Sequence, residues 1–192
     1  EEVANNGEWH IESDELEVLQ DLGNGTFSCV KYAIWRGTPV AIKIVNTQVE
    51  DNSINELSKE LDNLSKLHHP NIIQMLGIQL RYDPYILVIE YIPYTLAEKK
   101  LELSLQEKQH IAIDVARGLA YIHNRKPDYL IHRDIKPTNI LLTVSLKAKL
   151  ADFGLSIVQQ DKRNYYEMTG ETGSYRYMAP EVLRHEKYVF LM

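Results

Sequence analysis

Hydrophobic side chains keep two different periods along this chain, and no single class of secondary structure buries both. In Ser28 to Trp35 they alternate, with Val30, Tyr32 and Ile34 set against their neighbours, and Leu16 to Leu22 and Pro39 to Val45 are further β-rich runs. Arg36-Gly37 makes a tight connection, where glycine supplies the positive φ that a two-residue hairpin often needs. Helical spacing appears at Ile54, Leu57, Leu61 and Leu64, behind a capping-box pattern of Ser53 with Glu56. That helix should stop near His68, because Pro70 disfavours a helical His69. Ile72 to Leu80 and Tyr85 to Tyr91 read as strands, and a short helix starts after Thr95. A longer helix starts at Ser104, capped by Glu107, with Ile111, Val115, Leu119 and Ile122 as its apolar face. Asn124 to Pro127 ends it. Short strands follow at Leu130-Ile131, Ile140 to Thr143 and Lys147 to Leu150, then a polar, breaker-rich loop from Gln159 to Gly173. A strand-rich first part and a helix-led second part predict two lobes with a junction near Glu90 to Thr95: an extension over 1–15, a first lobe over 16–91 and a second over 92–192.

Composition narrows the function classes. The 192 residues include 21 Lys and Arg against 27 Asp and Glu, a net charge of −6 at pH 7, which argues against a general nucleic-acid binder. Unbroken apolar runs such as Tyr85 to Ile89 are far short of the roughly 20 residues that span a bilayer. The opening residues lack the basic-then-apolar layout of a signal peptide, and Cys29 stands alone, so no internal disulfide or cysteine-cluster metal site can form. A reducing, cytoplasmic setting is the expectation. The chain opens on Glu1 without an initiator Met, so an excised segment is the expectation.

Three clusters carry chemistry. Gly23-Asn24-Gly25-Thr26-Phe27-Ser28 sits between strands, where backbone N–H groups without a nearby Cβ can approach an anionic phosphate. An ordinary hairpin turn is the alternative. A strand follows rather than a helix, which argues against a Rossmann site, and no P-loop pattern occurs. Second, Lys43 lies inside an apolar strand, and Glu60 shares a helical face with Leu57, Leu61 and Leu64. An acid in an apolar stripe needs a partner or loses its charge. Pairing Glu60 with Lys43 solves both problems and leaves Lys43 able to reach phosphate oxygens. Alternatively Lys43 snorkels to solvent and Glu60 lies at the stripe's edge. Third, His132-Arg133-Asp134-Ile135-Lys136-Pro137-Thr138-Asn139 is followed by Asp152-Phe153-Gly154. One carboxylate can orient a hydroxyl nucleophile, Asn and Asp oxygens can hold Mg²⁺, and a cation can meet developing phosphate charge. His132 next to Ile131 reads as a packed histidine before a general base.

In this order, these segments resemble the eukaryotic protein kinase family. Gly23-x-Gly25-x-x-Ser28-x-Val30 is similar to its glycine-rich loop and Val40-Ala41-Ile42-Lys43 to its strand lysine. Glu60 matches the helix glutamate, His69-Pro70-Asn71 the turn after it, and Ile89-Glu90-Tyr91-Ile92 the hinge. His132 to Asn139 resembles the catalytic loop, Asp152-Phe153-Gly154 the magnesium loop, and Ala179-Pro180-Glu181 the end of the activation segment. The likeness runs from about Leu16 to Glu181 and implies an α+β, two-lobed fold with a β-rich N-lobe over 16–91 and part of a helical C-lobe over 92–192. It implies ATP and Mg²⁺ as cofactors. Asp134 would accept or orient the substrate hydroxyl proton, Asn139 and Asp152 would ligate Mg²⁺, Lys43 would hold the α- and β-phosphates with Glu60 behind it, and Lys136 would neutralise the γ-phosphate. Leu22, Val30, Ala41 and Leu141 would sandwich adenine, while the backbone of Glu90 and Ile92 would bond its edge beneath Ile89. Met75, Leu64, Phe153 and His132 would stack as an internal spine, a reading compatible with plain core.

Lys136-Pro137-Thr138-Asn139 resembles the serine/threonine form, and Ser174 sits where such kinases keep a hydroxyl contacting the catalytic Asp and Lys. Trp35-Arg36-Gly37 and Gly173 to Ala179 are similar to the tyrosine-kinase-like group, including Raf-like and integrin-linked-kinase-like enzymes. Implied partners are protein substrates and an upstream kinase acting on the activation segment, with Thr169 and Thr172 favoured and Arg133 as cationic partner. Ser28 in place of the third glycine should stiffen the loop with modest effect on rate. The family's domain continues beyond the point where this chain stops, so the expectation is a truncated C-lobe, poor folding and possible inactivity of these residues alone. A scaffold of pseudokinase type and a small-molecule kinase are the competing classes. No degraded motif supports the first, and the long activation segment speaks against the second.

Overall fold

The computed structural model describes residues 9–24, 28–45, 60–81, 83–126, 128–159 and 174–184. The chain divides into two compact units, Glu1–Pro93 and Tyr94–Met192.

The first unit is built on a five-stranded sheet in the order β1-β2-β3-β5-β4, from β1 (Leu16–Asn24), β2 (Ser28–Trp35), β3 (Thr38–Val45), β4 (Met75–Gln79) and β5 (Tyr85–Glu90). Every neighbouring pair is antiparallel. The β2–β3 connection closes on a Trp35–Thr38 pair with Arg36 at φ 49° and Gly37 at φ 80°. Both central residues are left-handed, the conformation whose twist suits a two-residue hairpin. Glu15 braces this turn, accepting from Trp35 Nε1 at 2.9 Å and pairing with Arg36. Paired residues share a face of the sheet. One face therefore carries Ala33, Val40, Ile42, Ile86 and Val88, which form a buried cluster with Ile11 and Leu16. The other carries Val30, Ala41, Lys43, Leu87 and Ile89.

A helical segment, α1, is described over residues 60–65, with Leu61 and Leu64 buried. The Ser53 cap, Ile54 and Leu57 lie outside the described residues. Ahead of β1, residues Trp9 to Ile11 lie parallel to β4: Ile11 N donates to Ile78 O at 2.8 Å and Ile78 N donates to Trp9 O at 2.7 Å. Ile11 is 2% exposed. It fits because residue 77 is glycine: a Cβ there would stand 2.1 Å from Ile11 Cδ1 and 3.0 Å from Trp9 O. Part of the stretch read as an extension thus belongs to the core of the first unit. One isoleucine among polar neighbours carries no period from which its burial could be read.

The second unit begins with β6 (Tyr94–Thr95) and α2 (Leu96–Lys99), the latter with a capping box between Thr95 and Glu98. The long helix α3 (Leu105–His123) starts as its sequence requires: Glu107 N donates to Ser104 Oγ at 3.3 Å, and Ser104 N donates to Glu107 Oε2 at 2.7 Å. Ile111, Gly118 and Ile122 are buried, while Val115 and Leu119 are half-buried. This face packs against β7 (Tyr129–Ile131) and β9 (Ala148–Leu150). Asp114 Oδ2 accepts from Ala148 N at 3.1 Å and ties helix to strand. β6, β8 (Ile140–Leu142) and β9 form one small sheet, and β7 pairs with β10 (Ile157–Gln159) in another. The last described helix is α4 (Pro180–Leu183). β10 was not read from sequence: three residues ahead of a polar stretch give no alternation to detect.

Gly77→Ala is expected to destabilise the protein by about 1–3 kcal/mol through overpacking. Combining it with Ile11→Ala, which vacates the contacted space, should cost less than the sum of the two single changes in a denaturant-unfolding double-mutant cycle.

Candidate active site

In the first unit the register of β3 decides where the chemistry lies. Lys43 is opposite Val30 on one side and Leu87 on the other, on the same face as Ala41. Its Nζ donates to Glu60 Oε2 at 2.6 Å, with the side chains only 20% and 5% exposed. Lys43 therefore does not snorkel, and Glu60 lies within the buried stripe. A near-buried carboxylate with an ammonium on it avoids the several-kcal/mol cost of an unpaired charge. Gly23 pairs with Val30 at the end of the β1–β2 ladder, while Gly25 lies outside the described residues. Of the residues assigned to adenine here, Ala41 is 7% exposed, Val30 is half-buried and Leu22 is 43% exposed. Glu90 and Ile92 are half-buried, and Glu90 N donates to Gln74 O at 3.0 Å.

In the second unit two short ladders bring distant residues to common ends. Ile140 pairs with Leu150, so Asn139 leaves the β8–β9 ladder beside Ala151 and Asp152, and Ala151 N donates to Asn139 O at 2.9 Å. Ile131 pairs with Ile157, so His132 to Asp134 leave β7 beside Leu155 and Ser156. Arg133 Nε donates to Leu155 O at 2.6 Å and Ser156 Oγ to His132 O at 3.3 Å. Arg133 (φ 66°) and Asp152 (φ 63°) are left-handed, a conformation disfavoured for residues with a Cβ and concentrated where surroundings impose it.

Asp134 is 5% exposed. Its Oδ2 receives Lys136 Nζ at 2.7 Å and Asn139 Nδ2 at 2.8 Å, and Asn139 Nδ2 also donates to Asp134 O at 2.9 Å. Lys136 Nζ further donates to Ser174 Oγ at 3.0 Å, the contact expected of that hydroxyl. His132 is 1% exposed; its Nε2 lies 3.0 Å from Ala151 O, its Nδ1 accepts from Asp134 N at 3.3 Å, and its ring meets Phe153 at 4.6 Å between centroids. Burial pushes its pKa below the ordinary 6.5, so it is a neutral packing group at pH 7. Leu64 and Met75 are each 1% exposed in the first unit. Leu141 is half-buried on β8.

The donor set fits Mg²⁺. Asn139 commits its amide nitrogen to Asp134, so its hard Oδ1 is the end that could meet a metal, and the backbone bond from Ala151 ties the residue before Asp152 to Asn139. Mg²⁺ is commonly held by one or two protein oxygens together with substrate phosphates and water. Among the described residues no group of three His, Cys, Asp or Glu side chains could hold a metal, so a site of that composition is not formed there. Sequence reasoning assigned Asn139 to the metal alone and missed its bond to Asp134 and the Arg133 bond to Leu155. The first joins residues five apart through a turn over Pro137–Asn139, and the second depends on β7–β10 pairing.

A family model described as protein kinase domain matches residues 16–191. The chain belongs to the protein kinase family. Similar proteins include serine/threonine-protein kinase VIK of Arabidopsis thaliana, 42% identical over 94% of this chain and 44% of that protein. Serine/threonine-protein kinase 12 of the same organism is 38% identical over 94% of this chain and 40% of its own length. Probable serine/threonine-protein kinase drkD of Dictyostelium discoideum is 36% identical over 97% of this chain and 15% of its own. The chain thus spans less than half the length of these curated relatives.

The lowered His132 pKa sets a pH dependence for this kinase domain. Below about 6.5 the unfolded chain takes up a proton that the folded chain refuses, so stability is complete above that pH and falls on acidification towards the folded pKa. His123, at the end of α3, is shifted the same way by burial and by nearby His132. Melting temperatures measured from pH 7.5 to 5 should drop across the lower half of that range, and His132→Phe should make the drop shallower.

Proposed function

We propose that the chain is the catalytic region of an ATP-dependent protein serine/threonine kinase, transferring the ATP γ-phosphate to Ser or Thr hydroxyls of protein substrates in signalling. The observation that carries this reading is the buried Asp134 carboxylate held by Lys136 at 2.7 Å, with the same ammonium on Ser174 at 3.0 Å. Phosphoryl transfer asks little covalent chemistry of a protein; it asks that a hydroxyl be oriented and spreading phosphate charge be met by cations. Asp134 orients the substrate hydroxyl and accepts its proton, and Lys136 neutralises the γ-phosphate. Ser174 on the same ammonium supports the serine/threonine class, as do the names of the relatives.

The remaining roles follow the family. Lys43, fixed by Glu60, holds the α- and β-phosphates; Gly23 and Gly25 lend backbone N–H groups; Leu22, Val30, Ala41 and Leu141 enclose adenine; Glu90 and Ile92 meet its edge. Asn139 and Asp152 would hold Mg²⁺, which would supply positive charge to offset that of the phosphates. Membership of the tyrosine-kinase-like group is proposed on Trp35-Arg36-Gly37 and Gly173 to Ala179. An upstream kinase acting on Thr169 or Thr172, both outside the described residues, would create a phosphate for Arg133 to meet. A cytoplasmic setting is proposed on the lone Cys29. Among the described residues no helix is long and apolar enough to cross a membrane.

Radiolabelled ATP with generic protein substrates tests the proposal in the full-length protein. Phosphate transfer is expected, with Asp134→Asn lowering the rate by about 10²–10⁴-fold. Asp134→Asn should keep its thermal shift with Mg·ATP. A wild-type shift with no transfer to any hydroxyl would contradict kinase activity and favour a nucleotide-holding scaffold.

A further inference from the structure

The second unit holds a groove of about 470 Å³ between α3 and the turn that joins β8 to β9, lined by none of the residues given roles above. Its helical wall is Glu107, His110, Asp114 and Arg117, spaced three or four apart and so on one face. The step from 107 to 117 covers roughly 15 Å at about 1.5 Å per residue. Ile113 beside them is 49% exposed, and Leu146 and Lys147 close the groove from the turn. The two walls are fixed before anything binds. Thr143 O accepts from Leu146 N at 2.9 Å and Thr143 Oγ1 from Lys147 N at 3.1 Å, while Ala148 N donates to Asp114 Oδ2 on the helix.

Glu107 and Asp114 offset Arg117 and Lys147 in formal charge, but not in bonding capacity. Glu107 Oε2 already receives Ser104 N and Ser104 Oγ, each at 2.7 Å. Asp114 has Ala148 N on one oxygen and Arg117 Nη1 on the other at 3.4 Å. Arg117 keeps further N–H donors on a side chain that is 66% exposed. Among the described residues the Lys147 ammonium meets no carboxylate. What the groove has left to offer is therefore cationic donors beside the aliphatic surface of Ile113 and Leu146.

From this arrangement we infer that the groove docks an extended segment of a partner protein carrying an acidic side chain next to an aliphatic one. The acidic group meets Arg117 and Lys147, and the aliphatic group covers Ile113 and Leu146. An apolar centre with charges at its rim is the layout of a protein interface. Roughly 15 Å takes four or five extended residues at about 3.3 Å each, more than a lone anion requires. This surface does not depend on phosphate transfer.

Random linear peptides displayed on phage and selected on the full-length protein test the inference. Clones that bind the wild type and not Lys147→Glu should carry Asp or Glu beside Leu, Ile or Val. A fluorescein-labelled peptide of that type should bind Lys147→Ala about tenfold more weakly, the scale of one lost charged hydrogen bond. Ile113→Asp should weaken it at least as much, and Lys147→Glu should instead prefer the same peptide with Lys in place of the acid. Melting temperatures should stay at the wild-type value, because residues 113 and 147 are both exposed. Selection of no acidic–aliphatic peptide, or binding indifferent to Lys147→Glu and Ile113→Asp, would overturn the inference. Displacement of the labelled peptide by equimolar inorganic phosphate would overturn it in favour of a simple anion site. Capture of the wild type but not Lys147→Glu on phosphatidylserine vesicles, with no peptide selected, would overturn it in favour of a lipid contact.

Discussion

Asp134 is a carboxyl side chain kept almost wholly from water, and the second unit is arranged around making that tolerable. Burial of a lone carboxylate costs more than most single interactions return. Its compensation comes from Lys136 and Asn139, both within five residues along the chain, so the loop must fold back on itself between β7 and β8. The turn over Pro137–Asn139 does so, with proline at its first position setting φ. Left-handed Arg133 and the β7–β10 ladder then hold the other side of the loop. Behind these strands lies α3, whose buried Gly118 stands on the face that packs against β7 and β9. The apolar packing of the helix and the polar demands of one side chain thus fix the same loop from opposite sides.

The first unit solves a related problem with a sheet. Lys43 gains a near-buried site because its neighbours across the strands, Val30 and Leu87, are apolar and because Glu60 arrives from α1. Both charges sit on the face opposite the Ile11–Val88 cluster, so one side of the sheet stabilises it by plain apolar packing and the other holds the Lys43–Glu60 pair. That division is a direct result of two-residue periodicity: a one-residue slip of β3 would move Lys43 into the apolar cluster.

What could be read from the amino-acid order was whatever depends on near neighbours or on a charge that needs explaining. Ser104 with Glu107 announces the start of α3, Arg36-Gly37 announces the β2–β3 turn, and Glu60 within a leucine stripe points to a cation. Ser174 on Lys136 was anticipated through the family resemblance. Illegible were contacts whose partners are set only by folding. Nothing near Gly77 says that Ile11 will lie against it, nothing in Ile157-Val158-Gln159 says it will pair with β7, and the side chain of Glu90 gives no sign that it will accept from Gln74 N. The positive φ of Arg133 and Asp152 was likewise invisible, since tertiary surroundings impose it.

The pairing of Trp9 to Ile11 with β4 bears on where this domain can be cut. The family match starts at residue 16, beyond that isolated parallel bridge. A recombinant fragment begun at the match would lose the partner of Ile78 and uncover a notch over Gly77 shaped for one branched alkyl group. Exposed strand edges beside apolar hollows invite the same strand from other molecules. Seven additional residues at the amino end are therefore the difference between a sheet that ends itself and one that seeks to continue.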